Sequence, residues 1–333
     1  AVTGPDGTVY VAYLAFTHGY KNREPIDEAP KDFSFLTKET GGDRVFLMTM
    51  KNGKWSEATP ITDGGDDLYK PAVAVDGTGR AWVFWSENVG ANENLNNGDW
   101  ELLARSWKDG KLGPKVRLTN ERYADTFPAA ATDSEGRVWV AWQAFRGNNS
   151  RILAARQEGD SFGSATVVAD SPRNEWEPAV VCAKDGTVTV AWDTYQKGDY
   201  DVYLRSWKAG KWAEATPVAA SLLFEARPSM VYDGAGRLWV AWEQSAENWA
   251  KDFGPLDPAA IPLYRERTIN LKVFSGAQVC RPAGDLQEVF TWKPPQGKAP
   301  GGGGPKLAMP RLFADANGTV WLAGRLNNPN WRT

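Results

Sequence analysis

The chain is poor in the residues that build metal and nucleophile sites: its 333 residues include one His, two Cys and four Met. A Cys/His zinc site cannot be assembled from that set, and chemistry that needs two histidines is excluded within the chain. Charge of one sign is also lacking. Lys+Arg number 38 against 41 Asp+Glu, a formal net charge of −3, so nothing advertises a footprint for nucleic acid or an anionic membrane. No run of about 18 apolar residues occurs, so no membrane-spanning helix is expected. Carboxylate chemistry is what these absences leave open. Ala1 stands first with no apolar leader before the first strand-like segment, the arrangement expected of a processed or partial sequence. Cys182 and Cys280 are expected as free thiols, with a disulfide as the alternative.

What the sequence has in quantity is Trp, with 17, beside 33 Gly and 21 Pro. Many of these fall into a repeat. Gly79-Arg80-Ala81-Trp82-Val83-Phe84-Trp85 recurs as Gly136 to Trp142, Gly186 to Trp192 and Gly236 to Trp242, with weaker copies at Gly7 to Tyr13 and Gly318 to Gly324. The copies end at 13, 85, 142, 192, 242 and 324, at intervals of 72, 57, 50, 50 and 82. A period near 50 with long insertions belongs to propellers rather than helical solenoids.

The surroundings of each copy follow one grammar. A Pro and a short apolar run precede it, as at Pro71, Pro128, Pro178, Pro228 and Pro310, and an Asp/Gly turn joins the two segments. A third strand follows, as in Trp100 to Trp107 and Asp201 to Trp207, then a Gly hairpin and a fourth strand. In the repeated strand both side-chain parities are apolar, so both sheet faces are buried. The expected fold is all-β: a six-bladed β-propeller of four-stranded antiparallel blades, one domain over residues 1–333. Seven blades, incomplete closure of the ring, or a fragment of a longer polypeptide are the alternatives, since the first blade opens midway through a strand and the sixth shows two strands only. Trp82, Trp85, Trp139, Trp142, Trp192, Trp239 and Trp242 are assigned to packing between blades.

Propeller geometry narrows the search for a site to one end of the central channel, where first strands start and repeated strands end. Asp125, Glu175 and Glu225 recur at intervals of 50 and are expected to hold turns. Lys70, Phe127, Glu177 and Arg227 occupy equivalent places with different chemistry, as do Ser86, Gln143, Asp193 and Glu243, and Lys306 stands at the start of the sixth blade. That variation points to one asymmetric polar site. The ligand-binding candidates are Lys70, Arg146, Trp176, Glu177, Asp193, Tyr195, Arg227, Glu243 and Trp249; the carboxylates that could act as a catalytic pair are Glu177, Asp193 and Glu243. His18, in the insertion Thr17 to Asp43, is a weak base candidate. No resident cofactor is expected, Ca²⁺ on carboxylate and carbonyl oxygens being the exception to consider. The oxygen-rich stretches Asn92 to Asp99 and Gly198 to Asp201 are read as turns first.

Three segments carry a resemblance: Gly236-Arg-Leu-Trp-Val-Ala-Trp-Glu243, Trp192 to Tyr203, and Glu247 to Gly254 followed by Pro262 to Arg265. Together they resemble a bacterial family in which an exported N-terminal propeller precedes a metal-dependent domain similar to PHP-type phosphoesterases. The resemblance implies an extracytoplasmic location and an adjacent domain as partner. It carries no hydrolase residue, because the Gly-Asp-Leu-His-type motif of that domain does not occur. Nor does a Ser-x-Asp-x-Gly-x-Thr-Trp box, which sets the chain apart from sialidase-like propellers. The expected function is a ligand-binding or scaffolding propeller recognising carbohydrate or the neighbouring domain. The alternative is a glycoside hydrolase or polysaccharide lyase with a carboxylate/Arg site.

Overall fold

The computed structural model describes residues 1–16, 42–64, 67–90, 99–196, 198–247, 249–250, 261–262, 267–284, 286 and 306–327, with the backbone alone at 249–250, 261–262 and 327. Among the described residues six antiparallel sheets follow one another along the chain, each a propeller blade. The second is complete in four strands, Leu68–Val75, Ala81–Asn88, Trp100–Lys108 and Lys111–Arg117. The third and fourth repeat it with the last strand broken in two. Their first three strands are Asp125–Thr132, Val138–Arg146 and Asn149–Glu158, and Glu175–Cys182, Val188–Thr194 and Asp201–Lys208. The fifth has Phe224–Tyr232, Leu238–Ser245, Thr268–Ser275 and Gln278–Cys280.

The end blades are as the sequence leads one to expect. In the first, only Val2–Thr3 pairs ahead of Val9–Phe16 and Asp43–Lys51, and the sixth has Lys306–Ala314 and Val320–Asn327 among the described residues. One element was not foreseen: Trp249–Ala250 pairs in parallel with Ile261–Pro262 within the insertion of the fifth blade. The chain divides into two compact units. One comprises Ala1–Thr132, Gly136–Phe145 and Arg156–Gly163, and the other comprises Asp133–Glu135, Arg146–Ala155 and Ser164–Thr333.

Each unit has an apolar core built from the repeated strands. In the first unit Val83, Trp85 and Leu103 pack with Val45, Leu47 and Ile61; in the second Val240 and Trp242 pack with Val202, Leu204 and Val218. Of the seven tryptophans assigned to packing, Trp82, Trp85, Trp139, Trp142, Trp192 and Trp242 are buried and Trp239 is half-buried. Repeated-strand indoles are also tied to the preceding turn. Asp76 accepts backbone N–H bonds from Thr78 and Arg80 and the Trp82 indole N–H at 3.3 Å. Asp233 does the same for Ala235, Arg237 and Trp239, and Asp315 for Asn317, Thr319 and Trp321. A single carboxylate thus closes the hairpin and fixes the ring that packs beyond it. Cys182 and Cys280 are free thiols.

The feature that positions the site is a bulge. In five blades the first strand shifts register one residue before its Pro, and that residue has positive φ: Lys70 at 43°, Phe127 at 56°, Glu177 at 42°, Arg227 at 56° and Met309 at 53°. None is Gly, so each holds a left-handed conformation that costs about 1–2 kcal/mol. The extra residue bends the strand and re-aims one side chain out of the sheet.

Candidate functional site

Within the second unit, the bulges of the fifth and sixth blades are tied to the ends of the repeated strands of the fourth and fifth. Asp193 follows Trp192, pairs across the sheet with Trp176, and accepts the Arg227 backbone N–H at 3.2 Å. Glu243 follows Trp242, pairs across the sheet with Ala226, and accepts the Met309 backbone N–H at 2.5 Å. Each strand-end carboxylate therefore pins the bulge of the next blade. The residues read as a variable catalytic set have this structural duty first.

Arg227 links the carboxylates. Its Nη1 donates to Glu243 Oε2 at 2.9 Å, and its Nε lies 3.6 Å from Glu177 Oε1. Arg267 approaches the same Glu243 oxygen at 3.7 Å. Glu243 is fully buried, whereas the side chains of Arg227 and Glu177 are 33% and 32% exposed. Glu243 is thus enclosed by two guanidiniums and a backbone amide, while Arg227 and Glu177 keep atoms available to a ligand. Burial, then the charge of Glu177, pushes the Asp193 carboxyl well above the usual carboxylate range, against the Arg227 N–H and cation that favour its anion. Burial opposes the Arg227 cation, but Glu243 and Glu177 outweigh it and raise its pKa.

Aromatic rings stand beside this cluster. Trp176 lies 5.1 Å from Tyr200 and 6.4 Å from Tyr195 between ring centroids; Tyr195 and Tyr200 are 5.1 Å apart, and Phe224 backs Tyr200 at 5.3 Å. Trp176, Tyr195 and Tyr200 are half-buried and Phe224 is buried. Burial and the neighbouring Asp193 push the Tyr200 hydroxyl up to about 12, so it stays protonated. The arrangement offers flat apolar rings next to a guanidinium, a carboxylate and a phenol hydroxyl.

The structure brings together Trp176, Glu177, Asp193, Tyr195, Arg227 and Glu243 from the sequence candidates. Lys70 belongs to the first unit, where its Nζ sits 4.3 Å from the centroid of the Phe127 ring beside Tyr69. Arg146 ends the second strand of the third blade and is half-buried. The side chain of Trp249 lies outside the described residues, as do Thr17, His18 and Asn92. Sequence reasoning missed Tyr200, Arg267 and Met309. Met309 could have been found as the residue before Pro310, matching Glu177 and Arg227, whereas Lys306 was taken for that blade.

The recurring acids hold local structure, as expected of turn residues, though not all in one way. Asp125 accepts the Trp142 indole N–H at 2.7 Å, and Glu225 accepts the Ser221 backbone N–H and hydroxyl, each at 2.9 Å. Among the described residues no group of three or more His, Cys, Asp or Glu is gathered as a metal site.

No family model matches the chain, and no curated protein matches it in sequence. Solved structures do match in fold. A protein of unknown function from Dyadobacter fermentans is similar over 97% of this chain and 92% of its own, with a TM-score of 0.55 at 12% identity. An ulvan lyase is similar over 98% of this chain and 81% of its own, with a TM-score of 0.55 at 13% identity. A second structure of a polysaccharide lyase of that type, bound to -[GlcA(1-4)Rha3S]-, covers 85% and 77% with a TM-score of 0.54 at 14% identity. At these identities the likeness is one of fold: the chain has the all-β, six-bladed propeller architecture that its repeat predicts.

Proposed function

We propose that the Arg227 cluster and its rings form a saccharide-binding site, and that the chain is a carbohydrate-recognising propeller. The observation that carries this reading is the placement of Trp176, Tyr195 and Tyr200 beside the part-exposed Arg227 and Glu177. Sugar rings present an apolar face to an aromatic ring and hydroxyls at their rim, and this surface supplies partners for both. Arg227 suits a uronic acid in particular, since a guanidinium makes charge-assisted hydrogen bonds to a carboxylate. A uronic-acid saccharide on a propeller of the same fold gives this ligand class a precedent. Binding is favoured over glycoside hydrolysis because Glu243 is enclosed by Arg227, Arg267 and the Met309 amide, and Asp193 is sealed from solvent. Export and a following metal-dependent domain, implied by the resemblance, belong to the same reading, with that domain as the competing occupant of the face.

Calorimetric titration with neutral and uronic-acid oligosaccharides tests it. Saturable binding of at least one uronic-acid oligosaccharide is expected, weakened about tenfold or more by Trp176→Ala. Absence of binding across the panel, or a Trp176→Ala variant that binds like the parent chain, would refute the reading.

A further inference from the structure

The second and fourth blades share a feature that the other bulged blades lack. Two residues before the bulge Pro, the fourth blade carries Trp176 and the second Tyr69, whereas the third, fifth and sixth carry Thr126, Ala226 and Ala308. The match is one of register. Trp176 pairs across the sheet with Asp193 and Tyr69 with Ser86, each the residue after the strand-end Trp. A second ring matches too. Thr194 pairs with Asp201 and Glu87 with Glu101, and the residue just ahead of that third-strand partner is Tyr200 in one blade and Trp100 in the other. In the fifth blade Gln244 pairs with Thr268, and Arg267 stands at that place. A ring that the blade itself required would recur in every blade, and these do not.

In the second blade the rings form an open surface. Tyr69 lies 6.5 Å from Trp100 and 5.3 Å from Phe127 between centroids, edge to face with both. Phe127 is the bulge residue of the next blade, the place that Arg227 takes beside Trp176. Lys70 is the bulge residue of the same blade, the place of Glu177, and its Nζ stands over the Phe127 ring at 4.3 Å. Tyr69 is 40% exposed and Lys70 is exposed, while Trp100 and Phe127 are half-buried. At the end of the same strand pair the exposed Asp67 accepts the Asn88 side-chain amide at 3.4 Å, so polar groups border the rings. All of these residues belong to the first unit, apart from the Arg227 cluster in the second.

We propose that Tyr69, Trp100, Phe127 and Lys70 form a second saccharide-binding site, where a sugar lays its apolar face on Tyr69 and Lys70 Nζ donates to its hydroxyl or carboxylate oxygens. The ligand class rests on the saccharide reading of the Trp176 site; the location rests on the second blade alone. Calorimetric titration of the full chain with a glucuronic-acid oligosaccharide and a neutral glucose oligosaccharide counts the sites. The parent chain takes up two equivalents of at least one of them, and Tyr69→Ala and Trp176→Ala take up one each, a melting midpoint confirming that each variant is folded. Lysine acetylation read by mass spectrometry gives a second measure on the parent chain: the saturating sugar slows modification of Lys70 severalfold and leaves the exposed Lys111 and Lys211 unchanged. A single equivalent that Trp176→Ala abolishes and Tyr69→Ala keeps, or a Lys70 that reacts equally fast with and without the sugar, overturns this inference and leaves the Trp176 reading standing. A single equivalent lost in Tyr69→Ala and kept in Trp176→Ala overturns the Trp176 reading instead. No uptake of either sugar overturns both.

Discussion

A carboxyl group sealed from water beside a second carboxylate resists ionisation, and Asp193 meets both conditions. Its consequence for stability has a definite sign. Unfolded, Asp193 loses its proton near pH ~3.9. Folded, it keeps the proton to a higher pH, so across that window the folded chain binds the extra proton and stability falls as pH rises. Asp193→Asn keeps an oxygen to accept the Arg227 N–H and cannot ionise. In denaturant melts the Asn variant should match the parent chain below about pH 3 and gain on it as pH rises above about 4. A gap of equal size at every pH would mean that Asp193 titrates alike in the folded and unfolded chain. Tyr200 belongs to the same local argument, since it too is kept protonated, by burial and then by Asp193. Its sequence neighbourhood, Gly198-Asp199-Tyr200-Asp201, reads as a turn, and only the fold shows it standing between Trp176 and Phe224.

The bulge is the element on which the site is built. A left-handed residue before Pro recurs in five blades, and its backbone N–H is the handle that Asp193 and Glu243 grip at Arg227 and Met309. Met309 tests the cost of that geometry, because its side chain is exposed and its N–H would survive substitution. Met309→Gly relieves about 1–2 kcal/mol of left-handed strain and loses about 0.5–1 kcal/mol to chain entropy, so it should be neutral to slightly stabilising. Met309→Val, β-branched at the same φ, should be clearly destabilising. Thermal melts of the two variants decide; equal losses would argue against strain at the bulge. Elements were also where the sequence was most readable. The repeated strands declare themselves because both faces are apolar at a near-constant spacing, and Glu177 and Arg227 stand at the same offset before Pro178 and Pro228. Arg267 and Met309 escaped because each follows an insertion of its own length, which breaks the register that made the other positions comparable.

For the whole molecule, the repeat supplies sameness and the site comes from its exceptions. Third-strand cations latch onto the carbonyls of the preceding blade, as Arg105 does to Ile61 in the first unit and Arg205 to Val168 in the second. Against that regular frame, the bulge position changes from Glu177 to Arg227 to Met309, and the strand-end acid from Asp193 to Glu243. A net charge of −3 gives no general attraction for an acidic sugar, so the selectivity claimed here rests on Arg227 and the rings around it. A crystal structure of the chain soaked with a uronic-acid oligosaccharide tests this most directly. The account predicts a sugar ring stacked on Trp176, with its carboxylate or hydroxyls within hydrogen-bond distance of Arg227 or Glu177. A sugar bound elsewhere, with the Trp176 face bare, would contradict it.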